Sequence, residues 1–187
     1  MIKRELYMSR IRPFIGGELI KVMTGIRRSG KSVMLDLIKE ELVESGIDSA
    51  QFISINFEDM RYACLCNAQV LHEEILHRAE TIQDKVYLFF DEIQEVKDWE
   101  KCINSLRVAL DCDIYITGSN AKLLSGELAT YLGGRYVEFV IYPFSFAEFL
   151  ELYRPIAPQA SIQQCFQKYL LSGGMPYLAN LRYEEEP

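Results

Sequence analysis

The 187-residue chain is 49% hydrophobic and 12% aromatic, enough apolar material for one substantial core, and one globular domain with an appendage is expected. Its formal charge of −7 argues against nonspecific nucleic-acid binding by the whole surface, although Lys3, Arg4, Arg10 and Arg12 make the N-terminal arm locally basic, either as a solvated end or as a nucleic-acid contact. No apolar stretch approaches a bilayer span, and Met-Ile-Lys-Arg-Glu lacks the apolar core of a signal peptide, so a cytoplasmic location with no membrane partner is expected.

Apolar blocks and breakers alternate in a β-α rhythm. A strand is predicted over 19–24, a helix over 31–45 closed by Gly46, and a strand over 51–56. Asn67 is placed to cap a helix running to about residue 81, a fully apolar strand follows at 86–90, and Asp98 is placed to cap a helix carrying Trp99, Ile103, Leu106 and Leu110 on one face. A fourth strand is predicted at 114–117. The polar turn Gly118-Ser119-Asn120 opens a short helix that ends at Gly133-Gly134, and a fifth strand runs over 136–141 before Pro143. Such alternation means an α/β domain with a largely parallel sheet. Beyond Pro143 the pattern is helical only. Ser145-Phe-Ala-Glu148 and Ser161-Ile-Gln-Gln164 have capping-box spacing, and the second helix stops at Gly173-Gly174. The expected division is an α/β core over 1–143 and the start of a helical lid or linker over 144–187.

Five cysteines (Cys64, Cys66, Cys102, Cys112, Cys165) form no C-x-x-C pair and are odd in number, so reduced core thiols are expected rather than a disulfide framework or a zinc site. His72 and His77 are five residues apart on a predicted helix, which separates them onto different faces.

Residues 25–32 read Gly-Ile-Arg-Arg-Ser-Gly-Lys-Ser, a G-x-x-x-x-G-K-[ST] phosphate loop between a strand and a helix. Successive backbone N–H groups must curl round the β- and γ-phosphates, and Gly25 and Gly30 permit that approach. Lys31 is expected to reach the terminal phosphates, and Ser32 to ligate Mg²⁺ at the start of a helix aimed at the anion. Ser29 belongs to the same cradle. Arg27 and Arg28 have open alternatives: contact with phosphate or base, exposure to solvent, or pairing with the Walker B acids Asp91 and Glu92. The run Val86-Tyr-Leu-Phe-Phe-Asp91-Glu92 has the Walker B form, with Asp91 expected to hold Mg²⁺ and Glu92 to polarise the attacking water. The bland alternative is a solvated acid pair at a strand end. Gln94 either touches the reaction site or caps the following turn. A nucleoside triphosphate with Mg²⁺ is the expected ligand, hydrolysis the expected reaction, and a nucleotide-gated switch with little turnover the alternative.

Several stretches together resemble the AAA-type predicted ATPases of bacteria and archaea: Thr24-Gly-Ile-Arg-Arg-Ser-Gly-Lys-Ser, Asp91-Glu-Ile-Gln-Glu-Val-Lys-Asp-Trp, Thr117-Gly-Ser-Asn, Leu132-Gly-Gly-Arg, Tyr142-Pro-Phe-Ser-Phe-Ala-Glu-Phe and Ser172-Gly-Gly-Met-Pro. The resemblance covers about residues 9–180 and implies a P-loop NTPase three-layer sandwich of the additional-strand type, with the strand ending at Thr117 inserted between the phosphate-loop strand and the Walker B strand. It implies a polar sensor at Asn120 or Ser119, with Thr117 a weaker candidate, although Ser119 and Asn120 are also good helix caps. It assigns Arg135 to an arginine-finger position, where a surface ion pair is the alternative. Members of that family usually continue into a C-terminal domain, so the resemblance also implies a fragment, with that domain or a homo-oligomer as partner, and it favours ATP as the nucleotide; a nucleic-acid motor or loader is a third reading.

Overall fold

A computed structural model describes residues 2–119 and 132–181. Five strands, β1 (Ile20–Thr24), β2 (Phe52–Asn56), β3 (Val86–Asp91), β4 (Cys112–Thr117) and β5 (Tyr136–Val140), form one sheet in the order β2-β3-β4-β1-β5. Every neighbouring pair is parallel. The strand ending at Thr117 therefore lies between the phosphate-loop strand and the Asp91 strand, as the resemblance implies. All residues of β1, β3 and β4 are buried, the pattern of strands covered on both faces.

Alternation along each strand divides the core in two. Val86, Leu88 and Phe90 of β3 join Ile114 and Ile116 of β4 in a cluster with Leu71, Ile75, Trp99, Ile103 and Leu106 from α3 (Ala68–Ala79) and α4 (Trp99–Ala109). Tyr87, Phe89 and Tyr115 point the other way, against α1 (Glu5–Ile11) and α2 (Lys31–Glu44). The result is a three-layer α/β sandwich. Helix α1 has no counterpart in the sequence reading, which leaves the N-terminal arm as a basic extension. It forms because Tyr7, Met8 and Ile11 share one face and bury it on the sheet.

The boundaries differ in detail. Strand β4 starts two residues earlier than predicted, because Cys112 and Asp113 pair with Val86 and Tyr87. Asn67 caps α3 as expected, accepting from Gln69 N at 3.0 Å. Asp98 precedes α4 in left-handed backbone (φ 57) and makes no side-chain cap; its carboxylate pairs instead with Lys101 at 2.8 Å. At the lower end of the sheet, Lys21 and Asp113 form a fully buried ion pair, and Asp113 also accepts from Tyr115 OH at 2.7 Å and Gly16 N at 2.7 Å. These partners satisfy charges that burial alone would make costly.

The C-terminal part consists of α5 (Phe146–Tyr153), α6 (Ile162–Ser172) and α7 (Tyr177–Asn180), with a core of its own around Phe149, Cys165 and Leu178. Both predicted capping boxes are formed. Phe144 N donates to Gly174 O at 2.6 Å and Tyr169 OH to Phe144 O at 2.9 Å, tying the helical part to the exit of β5. Of the thiols, Cys102, Cys112 and Cys165 are buried, whereas Cys64 is exposed and Cys66 half-buried, so the expectation of core thiols holds for three. Cys64 and Cys66 lie in and directly after a 3-10 turn (Met60–Leu65) of which only Leu65 is buried. Among the described residues, no helix is long and apolar enough to cross a membrane.

Candidate nucleotide site

The C-terminal ends of β1, β3 and β4 lie side by side, and the loop 25–32 crosses above them, where open parallel sheets bind ligands. Gly25 takes φ 147, and a Cβ there would collide with the Ile141 carbonyl oxygen. Gly30 takes φ 98 immediately before α2, so the loop turns directly into the helix N-terminus. Ser29 is fully buried, yet its Oγ has no hydrogen-bond partner. A buried hydroxyl without a partner in a glycine-built cradle fits an anion-binding site.

Lys31 is 4% exposed; its Nζ lies 3.4 Å from the carbonyl oxygens of Gly25 and Ile26 and 3.6 Å from Glu92 Oε1. Lys31 and Glu92, each expected at the site from its own motif, are thus brought together by the fold from distant parts of the chain. Asp91 is buried: Thr117 Oγ1 donates to its Oδ1, and Asn56 Nδ2 donates to its Oδ2 at 3.1 Å. The same Thr117 hydroxyl accepts Glu92 N–H at 3.0 Å. Glu92 Oε2 accepts from Gln94 Nε2 at 2.6 Å, so the carboxylate is held by Lys31 on one side and Gln94 on the other. Gln94 therefore touches the site.

Arg4, Arg28, Glu92 and Asp98 are the non-glycine residues with positive φ among those described, and the first three surround this loop. Left-handed backbone costs such residues roughly 1–3 kcal/mol each, and strain of that kind gathers at functional sites. Arg28 is exposed within the loop, and Arg27 points outward to Glu58 at 3.0 Å, so neither pairs with Asp91 or Glu92. Ser32 is exposed at the first turn of α2. Ser119 is half-buried just past the end of β4; Asn120 lies outside the described residues. Arg135 does not join the cluster. It is exposed and directly precedes β5, whose register with β1 runs from Tyr136 opposite Ile20 to Val140 opposite Thr24, so it sits roughly 20 Å below the loop at the usual strand rise.

One contributor is ranked low in the sequence reading and another escapes it. Thr117 ranks there below Ser119 and Asn120, yet it is the residue bonded to both acids. Arg4, grouped with a basic arm, is 2% exposed and donates to Ser29 O at 3.0 Å. Its charge is satisfied by Glu148 at 2.9 Å, which is why an arginine is stable inside. No local signal marks Arg4, whereas the family's Thr117-Gly-Ser-Asn stretch offers Thr117 only as the weaker candidate. Arg12 likewise pairs with Glu5 and Glu41, so two of the four basic residues of the arm are committed to internal contacts.

Beside the loop opens a cleft of about 600 Å³, lined by Ile2, Arg28, Gly30, Ser32, Phe144 and Tyr177 among others. It joins the helix N-terminus to an apolar wall from the helical part.

A family profile described as an AAA domain matches residues 18–150. An uncharacterized protein of Haemophilus influenzae is 44% identical over 176 residues, which cover 94% of this chain and 44% of that protein. An uncharacterized protein of Methanocaldococcus jannaschii is 36% identical over 166 residues, covering 84% of this chain and 35% of that protein. The chain thus spans less than half the length of these relatives. The AMPPCP-bound structure of DnaA from Aquifex aeolicus superposes with a TM-score of 0.63 at 13% identity, over 96% of this chain and 59% of that one, a likeness of fold. With the family profile spanning most of the chain and the parallel sheet carrying its glycine loop at the expected edge, the chain belongs to the AAA domain family of P-loop ATPases.

Proposed function

We propose that this chain binds ATP with Mg²⁺ and hydrolyses it by attack of water on the γ-phosphate, the cycle serving to move attached elements. The observation that carries the reading is the 3.6 Å approach of Lys31 to Glu92 beside the Asp91–Thr117 pair, at the ends of three adjacent strands. The N–H groups of residues 25–32 and the Ser29 hydroxyl would hold the phosphates, with Lys31 placed for the terminal ones. Ser32 and Asp91 supply the hard oxygen donors that suit Mg²⁺, which when bound would neutralise charge on the phosphate oxygens. Asp91 keeps lone pairs free for this, since each of its oxygens accepts one hydrogen bond from the protein. Phosphate arriving at Lys31 competes with Glu92 for its charge. Glu92, released, then orients and deprotonates water as general base. The cleft lined by Phe144 and Tyr177 is the natural place for the adenine ring.

Calorimetry with ATP and Mg²⁺, with phosphate release followed in the same samples and Lys31→Ala as control, tests the reading. Binding with release, both lost in Lys31→Ala, is expected; absence of binding by the wild-type chain overturns it.

A second reading is a nucleotide-gated switch with little turnover. The bond from Gln94 favours it, because Glu92 restrained at both oxygens is not free to act on water. Binding without release would identify it. In either case residues 1–143 serve as the ATPase core and 144–187 as lid or linker. Ser119 or Asn120 is the proposed sensor, and Arg135 the finger acting toward a neighbouring copy. The partner is then a homo-oligomer or the C-terminal domain that the family resemblance implies; nucleic acid finds little support in a charge of −7.

A further inference from the structure

Arg4 makes three hydrogen bonds to three separate segments. Nη1 donates to Ser29 O at 3.0 Å in the phosphate loop, Nη2 to Tyr142 O at 2.8 Å past the end of β5, and Nε to Glu148 Oε1 at 2.9 Å in α5. The guanidinium stacks within 4.6 Å of the Tyr7 ring centroid and 5.2 Å of that of Phe144. Its planar fork satisfies all three acceptors at once, which an ammonium cannot. Glu148 is equally committed: its second oxygen accepts from Ser145 N at 2.8 Å, closing the capping box of α5. Burial works to raise its pKa, yet the bonds from Arg4 and Ser145 hold the carboxyl below its ordinary value, so it is an anion facing the arginine.

The bond to Ser29 has a geometric consequence. A trans peptide is planar, with C=O and the following N–H pointing in opposite directions. Arg4 grips the Ser29 carbonyl and so fixes the direction of the Gly30 N–H, a donor that would otherwise be free to rotate with its glycine. Gly30 is also where the loop enters α2, and a Cβ there would lie 3.4 Å from Arg4 Nη1.

We propose that Arg4 is a positioning residue that presets the phosphate loop for its anion and, through Glu148, couples occupancy of that loop to the helical part over residues 145–181. The inference rests on the phosphate-site reading above. An anion drawing on the Gly30 N–H polarises and stiffens the same peptide whose oxygen Arg4 holds. The shared guanidinium passes that restraint to the N-terminus of α5. The cost of ordering the loop is met in advance, which is preorganisation.

The test uses the full chain as wild type, Arg4→Lys, Arg4→Ala and Glu148→Gln, with the methylene analogue AMPPCP and Mg²⁺. Calorimetry reads Kd, and amide exchange over 145–181 reads the coupling. Wild type is expected to bind and to slow exchange in α5. Arg4→Lys is expected to raise Kd roughly tenfold, since a charge-assisted bond to the loop is lost, and to abolish the slowed exchange. Glu148→Gln leaves the Ser29 bond in place, so Kd should stay within about threefold while the slowed exchange weakens. If Arg4→Ala does not fold, as a circular dichroism melt would reveal, the other two variants decide. Wild-type Kd in Arg4→Lys, or undiminished slowing of exchange in both Arg4→Lys and Glu148→Gln, overturns the inference while the phosphate site stands. Failure of the wild type itself to bind overturns the site reading and this inference with it.

Discussion

Thr117, the last residue of β4, donates its hydroxyl proton to Asp91 and accepts the backbone N–H of Glu92 at 3.0 Å, so one buried side chain orients both acids at the end of β3. Thr117→Val keeps the shape, removes the donor to Asp91 and leaves the Glu92 N–H without an acceptor. A loss of about 1–3 kcal/mol in urea unfolding is expected. Phosphate release should fall by roughly 10- to 100-fold, as when an oriented group is misplaced by about 1 Å. Thr117→Ser retains both bonds and should keep most of the activity. Full turnover in Thr117→Val would remove the hydroxyl from the mechanism.

Glu92→Gln should bind ATP nearly as the wild type does while losing hydrolysis, since general-base assistance is worth roughly 10²- to 10⁴-fold. Unchanged turnover would sink the assignment of Glu92. Gln94→Ala removes the bond at 2.6 Å and leaves Glu92 restrained by Lys31 alone. Turnover at saturating ATP should rise several-fold, about 1 kcal/mol in the barrier, if that bond holds the base back. A fall would instead make Gln94 part of the productive geometry.

Arg135 lies at the far end of β5 from the loop and cannot serve the site of its own chain. If it acts, it acts on a neighbour. Turnover per chain should then climb with protein concentration, and Arg135→Ala should flatten that climb by up to roughly 10³-fold without changing nucleotide affinity. A concentration-independent rate that Arg135→Ala leaves intact would return the residue to the surface.

Burial pushes the Cys102 thiol from 9.0 up to about 12; burial, aided by Asp113 and Asp111, pushes Cys112 up to about 11. Both thiols stay protonated in the folded chain at a pH where the unfolded chain has lost their protons. Their stabilising contribution is complete below pH 9 and declines as the pH rises through the folded values, by up to about 1.4 kcal/mol per pH unit for each thiol. Burial of Lys21 acts in the opposite sense, because its lowered pKa makes the folded state gain on the unfolded one as pH approaches 10.5. Urea unfolding between pH 8 and 11 should show a net decline. Cys102→Ala should be less stable at pH 8 yet show a shallower decline, by about 1.4 kcal/mol per pH unit above pH 9. An unchanged slope would show that Cys102 titrates normally.

Helices α2 and α3, the buried strand β3 and both capping boxes of the helical part are legible in the sequence, because periodicity, unbroken apolar runs and cap chemistry are local. Lys31, Asp91 and Glu92 are legible for a similar reason: a glycine loop opening a helix and an apolar run ending in acids each carry their chemistry within a few residues. Helix α1 is not, since seven residues in a basic arm become helical by burying Tyr7, Met8 and Ile11 on a sheet made mostly of later sequence.

Local sequence is enough to specify a parallel α/β sheet with a phosphate loop and an acid pair, for in each case the deciding interactions lie within one turn or one strand. The assembled fold is what brings Thr117 to both acids, sets Arg135 away from its own site, and turns Arg4 into an internal clamp rather than a solvated charge. The partners of Arg4 lie 25, 138 and 144 residues along the chain, and that of Thr117 lies 26 residues away. A buried charge or hydroxyl is stable only beside such partners, and strand order, which no local pattern specifies, is what brings them within reach.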